Sequence, residues 1–273
     1  MYEDRVLAFI DVLGFSEEIR QSIKKDEEDL DQTRRINTLI EQVQNDLDVN
    51  NNTSREVFKL TDEQITIING SKVVNQFSDS IVISYSIKEE SGIFFMLLKI
   101  LHLCMTALQH NFLLRGSIVR NKLCHTRNKI FGPGLVEAYE MERGLAIYPR
   151  IVLDDDIIAV SRKYHGRQHD GDTEEEYVRS LVKRDFDGMY YINYFDAVET
   201  ELDGTNEEMP IYLDKLREVI IKLNNSKSVS VRSKYLWLKE KYNDTLAKYK
   251  NDYRNEKANA PELHEYYKLK RKL

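Results

Sequence analysis

The sequence predicts an α+β fold, an antiparallel or mixed β-sheet with helices packed on one side, continued by a helical C-terminal appendage. Three observations predict it. Through about residue 155, short runs rich in Val, Ile, Leu and Phe alternate with segments of helical periodicity. The apolar run Ile93 to Leu108 has the composition of a helix buried in a core. Beyond residue 200 the chain is charged and helical in pattern.

Taken in order, Arg5 to Val12 is a buried strand that runs into a turn at Gly14. Ser16 is placed to cap a helix over Glu17 to about Asp48, with a potential break near Asp26 to Asp31. Its apolar residues Ile19, Ile23, Leu30, Ile36, Leu39, Ile40, Val43 and Leu47 recur at mostly helical spacing. Asn50-Asn51-Asn52 marks a loop, after which Val57 to Ile68 and Lys72 to Ser86 alternate like strands around Asn69-Gly70. The second of these reverses again near Asp79. The core helix, through Gln109, leads to a strand over Leu113 to Val119. Gly132-Pro133-Gly134 opens a helix from Leu135 to Ala146, Pro149 ends it, and Arg150 to Leu153 is the next strand.

This order is ferredoxin-like in the broad sense. From Arg162 to Glu176 the chain turns polar and loses periodicity, which predicts a mobile insertion; a strand over Met189 to Phe195 follows. Lys234 to Lys248 carries Tyr235, Leu236, Leu238, Tyr242 and Leu246 near helical spacing, with Trp237 adjacent. The expected organisation is a core at 1–160, an insertion loop and additional strand at 161–200, and a helical appendage at 201–273 packed on the core.

With 273 residues, 41% hydrophobic and 32% charged, the chain can bury a sizeable core. A net charge of −6 and a pI near 5.7 argue against a role in coating nucleic-acid backbones. Cys104 and Cys124 have no CxxC partner, and the acidic, unsignalled start Met1-Tyr2-Glu3-Asp4 fits reduced thiols in the cytoplasm. The run Ile93 to Leu108 is interrupted by Lys99 and His102 and falls short of a bilayer span, so no membrane segment is expected.

Asp11 and Asp79 each stand inside an otherwise apolar strand-like run. A buried carboxylate loses solvation unless something cationic compensates it, and a divalent metal with a nucleotide phosphate is one such partner. Side by side on a central sheet, the two would ligate Mg²⁺ or Mn²⁺ through oxygen. The other reading is that Asp11 caps the following helix and Asp79 a tight turn. Gly14 lets the backbone turn sharply and present N–H groups to an anion.

Phe9-Ile10-Asp11-Val12-Leu13-Gly14-Phe15, Ser78-Asp79 at a hairpin tip, Leu114-Arg115-Gly116-Ser117-Ile118 and Phe131-Gly132-Pro133-Gly134-Leu135-Val136-Glu137-Ala138 together resemble the motif order of the class III nucleotidyl cyclases over roughly residues 5 to 155. There are departures. Asn75 and Ile130 occupy the positions that read a purine base in that family, and neither suits a purine. Glu137 and Met141 fall where the family's helix supplies an Asn and an Arg to the transition state.

A divergent branch accommodates these differences. FIDVLGFS, FSDSIVIS, LLRGSI, FGPGLVEAYEMERGLAIYPRIVL and the tail YLWLKEKYN resemble the pyrimidine cyclases of bacterial Pycsar anti-phage defence. The resemblance implies conversion of UTP or CTP to 3′,5′-cyclic UMP or cyclic CMP with release of pyrophosphate, and a separate effector that reads the product. It also implies a homodimer with sites across its interface, and two Mn²⁺ or Mg²⁺ ions held by Asp11, Asp79 and the Val12 carbonyl. Backbone N–H groups of Leu13, Gly14, Phe15 and Ser16 would cradle phosphate oxygens.

Arg115, ranked first, then Arg120 and Arg150, are the cations available to the transferring phosphoryl group. The alternative for them is pairing with Glu137, Glu140 or Glu142. Asn75 is placed for a base contact or for a core hydrogen bond. Tyr139 and Glu142 either line the nucleotide site or pack. His165 and His169 would ligate zinc only on a helix, Asp154-Asp155-Asp156 suits a helix cap, and Lys268 to Lys272 is a basic end. Two rival functions are a catalytically silent, nucleotide-binding or regulatory dimer, and a purine or dinucleotide cyclase. Asn75, Ile130 and the missing GG(D/E)EF signature count against the latter.

Overall fold

In the computed structural model, β1 (Glu3–Val12) is the axis of the first unit because it is apolar on both faces: Val6, Leu7, Ala8 and Ile10 are fully buried. The structure describes residues 1–24, 27–47, 70–202, 208–224, 226 and 228–273. The expected loop at Asn50–Asn52 and strand at Val57–Ile68 lie outside them. Two compact units divide the chain, Met1–Ile192 and Asn193–Leu273.

After β1, Gly14 adopts φ 80°, a left-handed conformation that glycine takes at little cost, and sits as the N-cap of α1 (Phe15–Gln21). Ser16 is therefore inside the helix and exposed, not its cap. The long helix expected over Glu17 to Asp48 is interrupted in the region where the charged run suggested a break. β2 (Ile23–Lys24) pairs with β3 (Glu27–Glu28), and α2 (Leu30–Leu47) follows.

Further along the chain, β4 (Val73–Phe77) and β5 (Ser80–Ser86) form a hairpin with a two-residue loop whose first residue, Ser78, has φ 56°. α3 (Gly92–Gln109) buries ten of its eighteen residues, from Gly92 to Leu108, as a core helix does. It is also the one described helix that is apolar and long enough to cross a membrane. β6 (Leu114–Thr126) runs seven residues past its expected end and folds back on β7 (Lys129–Phe131), a hairpin the sequence did not suggest. α4 (Pro133–Leu145) and β8 (Ile151–Leu153) complete the motif-bearing part.

The polar stretch Arg162 to Glu176 is not a structureless insertion. α5 (Asp155–Ser161) and a short 3₁₀ turn at Arg162–Tyr164 lead to α6 (Gly171–Ser180), where Asp170 accepts the Thr173 N–H as a true N-cap. Buried Glu174 and Val178 anchor that helix. β9 (Val182–Arg184) then pairs with β10 (Tyr190–Ile192), a strand shorter than expected.

The sheet is mixed, in the order β4-β5-β1-β6-β8-β10-β9, with β7 attached to β6 and only β6–β8 parallel. Helices do not keep to one side of it. α4 covers Leu7, Val82, Val119 and Leu123 through Ala138, Leu135 and Met141, whereas Val6, Ala8, Ile10, Ile81 and Ile83 point the other way and are equally buried. α3 packs against β5 and α2 against α3, so both faces are apolar interior.

The second unit contains α7 (Glu208–Asn224), α8 (Val229–Asp252) and α9 (Pro261–Leu269), with α8 packed on the other two. Trp237 is 3% exposed and meets the Phe195 ring edge-on at 5.7 Å, while Tyr249 and Tyr253 each stack with Tyr267.

Candidate active site

Asp11 is the penultimate residue of β1, paired with Ser80 on β5 and Arg115 on β6. Asp79, in the β4–β5 loop, accepts the Val12 N–H on its carbonyl at 3.2 Å, which ties the hairpin tip to the end of β1. The two carboxylates are close enough to feel each other. Burial pushes the Asp11 carboxyl above its usual range; Arg115 opposes that shift, and Asp79's charge and hydrogen bonding reinforce it.

Arg115 bridges acids. Its Nε donates to Asp11 Oδ2 at 2.9 Å and stands 2.8 Å from Glu142 Oε1 on α4. Glu142 is 3% exposed, and burial raises its carboxyl against the pull of Arg115. Gly116 explains how close these groups come. A Cβ there would stand 2.4 Å from the Phe9 carbonyl oxygen, so only glycine lets β6 approach β1 beside the Asp11–Arg115 register.

Arg120 is not gathered here. It pairs with Val6, five residues further along β6, and is exposed beside a cavity of about 320 Å³ shared with Asp4, Glu137, Asp154 and Asp156. Arg150 is 1% exposed and bonds Asp185 and Asp187, partners far along the chain in place of Glu137, Glu140 or Glu142. It therefore pins the start of β8 to the β9–β10 turn through both terminal nitrogens of its guanidinium.

Among the backbone groups expected to cradle phosphate, Leu13 N–H is already given to Leu113 O at 2.8 Å. Phe15 is 4% exposed and serves as a core anchor, Val12 is likewise buried, and Gly14 and Ser16 are exposed beside the pair.

Asn75 lies on the same face as Asp11, committed to a chain of hydrogen bonds with a fixed direction. Its Nδ2 donates to Arg127 O at 2.8 Å, so Oδ1 is free to accept from His125 Nε2 at 2.6 Å. His125 Nδ1 must then accept from Ser84 Oγ at 2.7 Å, and Ser84 accepts from Arg5 Nε at 2.8 Å. Burial, with the Arg5 charge adding, pushes His125 down to about 4, so its ring is neutral. Of the two readings for Asn75, the core hydrogen bond is the one present.

The other expected positions separate from the pair. Ile130 packs against the Leu7–Val119 core, and Glu137 accepts from Asn121 at 2.5 Å. Tyr139 meets Phe9 edge-on at 5.8 Å and is half exposed. His165 and His169 stand in the turn before α6, not on a helix. His169 Nε2 is 2.5 Å from Glu174 Oε2, the carboxylate that also accepts from Ser91. Asp154 takes the N-cap position of α5 without a side-chain capping bond. Of the acids named as pairing alternatives, Glu142 is the one Arg115 meets; the Arg5–Ser84–His125 chain was not singled out by sequence, because its members and Asn75 come from four strands.

The donor set fits a hard divalent cation: two carboxylates from adjacent strand ends, with Asp11's ionisation opposed by burial and by its neighbour. Among the described residues no group of three or more His, Cys, Asp or Glu side chains is arranged to hold a metal. Such an ion would draw its remaining ligands from backbone, water and substrate oxygens.

No family model matches the chain, and no curated protein matches it. Among solved structures, a bacterial light-regulated adenylyl cyclase is similar over 66% of this chain and 57% of that one, at 11% identity and a TM-score of 0.36. The chain thus spans little more than half of that neighbour's length, and its chemistry rests on the residues of its own site.

Proposed function

We propose that the first unit is a nucleotide cyclase acting on a pyrimidine nucleoside triphosphate, UTP or CTP. The observation that carries this is the placement of Asp11 and Asp79 together at one end of the central strands, with Arg115 beside them. Asp11, Asp79 and the Val12 carbonyl would hold Mg²⁺ or Mn²⁺, which, when bound, favours the ionised ribose 3′-hydroxyl and neutralises the triphosphate. Arg115 keeps positive charge beside the phosphoryl group undergoing attack, on a side chain two-thirds shielded from water. Asp11 and Glu142 hold that guanidinium in place. The apolar wall formed by Phe9 and Tyr139 offers a surface for the base.

The finer reading, cyclic UMP or cyclic CMP as a messenger for a separate effector in anti-phage defence, made by a homodimer, is supported by the motif resemblance. The test is incubation of the purified chain with each labelled nucleoside triphosphate plus Mn²⁺ or Mg²⁺, beside Asp79→Asn. A cyclic pyrimidine monophosphate absent from the variant is the expected product. A cyclic purine product refutes the base assignment, and turnover that survives Asp79→Asn refutes the site.

A second reading is favoured by two commitments described above. Arg115 is spent on Asp11 and Glu142, and Asn75 on His125 and Arg127, which is how a catalytically silent nucleotide-binding module would look. Saturable nucleotide binding with no product from any triphosphate would establish it.

A further inference from the structure

Glu142 carries an unsatisfied oxygen at the centre of the site. A guanidinium Nε has one hydrogen, and that hydrogen points to Asp11 Oδ2. Glu142 Oε1 is nearer to the same nitrogen, at 2.8 Å, yet has no hydrogen-bond partner, although its side chain is 96% shielded with 4% exposure. Leaving a buried acceptor unmade is costly, and native interiors avoid it unless the group has a second use.

Resting on the cation-site reading above, we infer that Glu142 is a positioning residue, the second seat of Arg115. Asp11 holds the Arg115 Nε–H when its carboxylate is free, and Glu142 takes that hydrogen bond when Asp11 turns to a divalent cation. The two acceptors flank one nitrogen at 2.9 and 2.8 Å, so the transfer needs a small rotation of the guanidinium and no backbone movement. α4 supplies the seat from a buried face, so it is withheld from solvent in both states. Without Glu142, a cation at Asp11 would leave the displaced arginine facing it with no acceptor.

The test is Mn²⁺ affinity of the full chain, by isothermal titration without nucleotide, for wild type, Glu142→Gln, Arg115→Gln and the double variant. Glu142→Gln leaves a neutral acceptor where the charged one stood, and that weaker seat for Arg115 predicts Mn²⁺ binding weakened about tenfold. In the Arg115→Gln background the same change is expected to have almost no effect. A loss of equal size in both backgrounds would mean that Glu142 acts only as a distant negative charge, and would overturn the inference.

If Arg115→Gln does not fold, the Arg115 Nε–H resonance of ¹⁵N-arginine wild type decides. It is expected to stay protected from exchange through a Mg²⁺ titration, and its disappearance into rapid exchange overturns the inference. Wild type that binds no Mn²⁺, or binds it equally as Asp79→Asn, defeats the cation site itself. Binding lost in Asp79→Asn but untouched by Glu142→Gln defeats only the role of Glu142.

Discussion

Lowering the pH from 7 to 5 should destabilise the protein through His125, and the size of the effect follows from its surroundings. The ring is 7% exposed, donates to Asn75 and accepts from Ser84, so protonation would break a bond and place two donors against Ser84 and the Arg5 guanidinium. Its folded value is pushed from 6.5 to about 4. Below pH 6.5 the unfolded chain binds a proton that the folded chain refuses, so stability falls as pH drops and the loss levels off only below pH 4.

Integrated between pH 7 and 5, the loss is about 2 kcal/mol, rising to about 3 kcal/mol at pH 4. Urea unfolding at pH 7 and pH 5 is the assay, with His125→Gln as reference. Gln keeps a donor for Asn75 but cannot titrate, and every other histidine cancels in the difference. The expected result is a wild-type stability that falls about 2 kcal/mol further than the variant's. Parallel pH dependences for the two proteins would refute the directional hydrogen-bond chain.

Other outcomes follow from the same structure. Mn²⁺ at a hundredfold excess over its Kd should stabilise wild type by about 2.7 kcal/mol against thermal unfolding and leave Asp79→Asn unmoved. Gly116→Ala should cost several kcal/mol and cut turnover, because its Cβ would meet the Phe9 carbonyl at 2.4 Å and part β6 from β1; urea midpoints and product formation check it. Arg150→Met strands buried Asp185 without its cation and should cost about 3–5 kcal/mol in urea unfolding, with any surviving folded protein retaining its nucleotide affinity.

Much of the frame was legible because it is written in local signals. The apolar run of β1, the hairpin at Ser78-Asp79, the core helix α3 and the Gly-Pro-Gly opening of α4 each announce themselves within a dozen residues. α6 was missed because its apolar content is slight: Asp170 and buried Glu174 fix it through hydrogen bonds, which hydropathy does not register. The one-sided sheet was wrong for a related reason. β1 is apolar at both odd and even positions, the mark of a strand covered twice, and that run was read only for its burial.

The site divides in the same way. Asp11, Asp79 and Arg115 were visible as chemistry in apolar runs, and the fold brings them together. The choice among arginines was not visible, since it depends on register. Arg115 faces Asp11, Arg120 faces Val6, and Arg150 is claimed by Asp185 and Asp187, thirty-five and thirty-seven residues downstream. Asn75's partners Arg127 and His125 lie fifty or more residues away, beyond any pattern that spacing can show.

The single tryptophan gives the molecule an optical asymmetry. Trp237 belongs to the Asn193–Leu273 unit and is packed against Phe195 of that unit, whereas the carboxylate pair belongs to the other. Fluorescence excited at the red edge of the aromatic band therefore watches only the C-terminal helices, while circular dichroism sums over both units. Overlaid melting curves from the two signals would show whether the units come apart in one event or two, with no label attached.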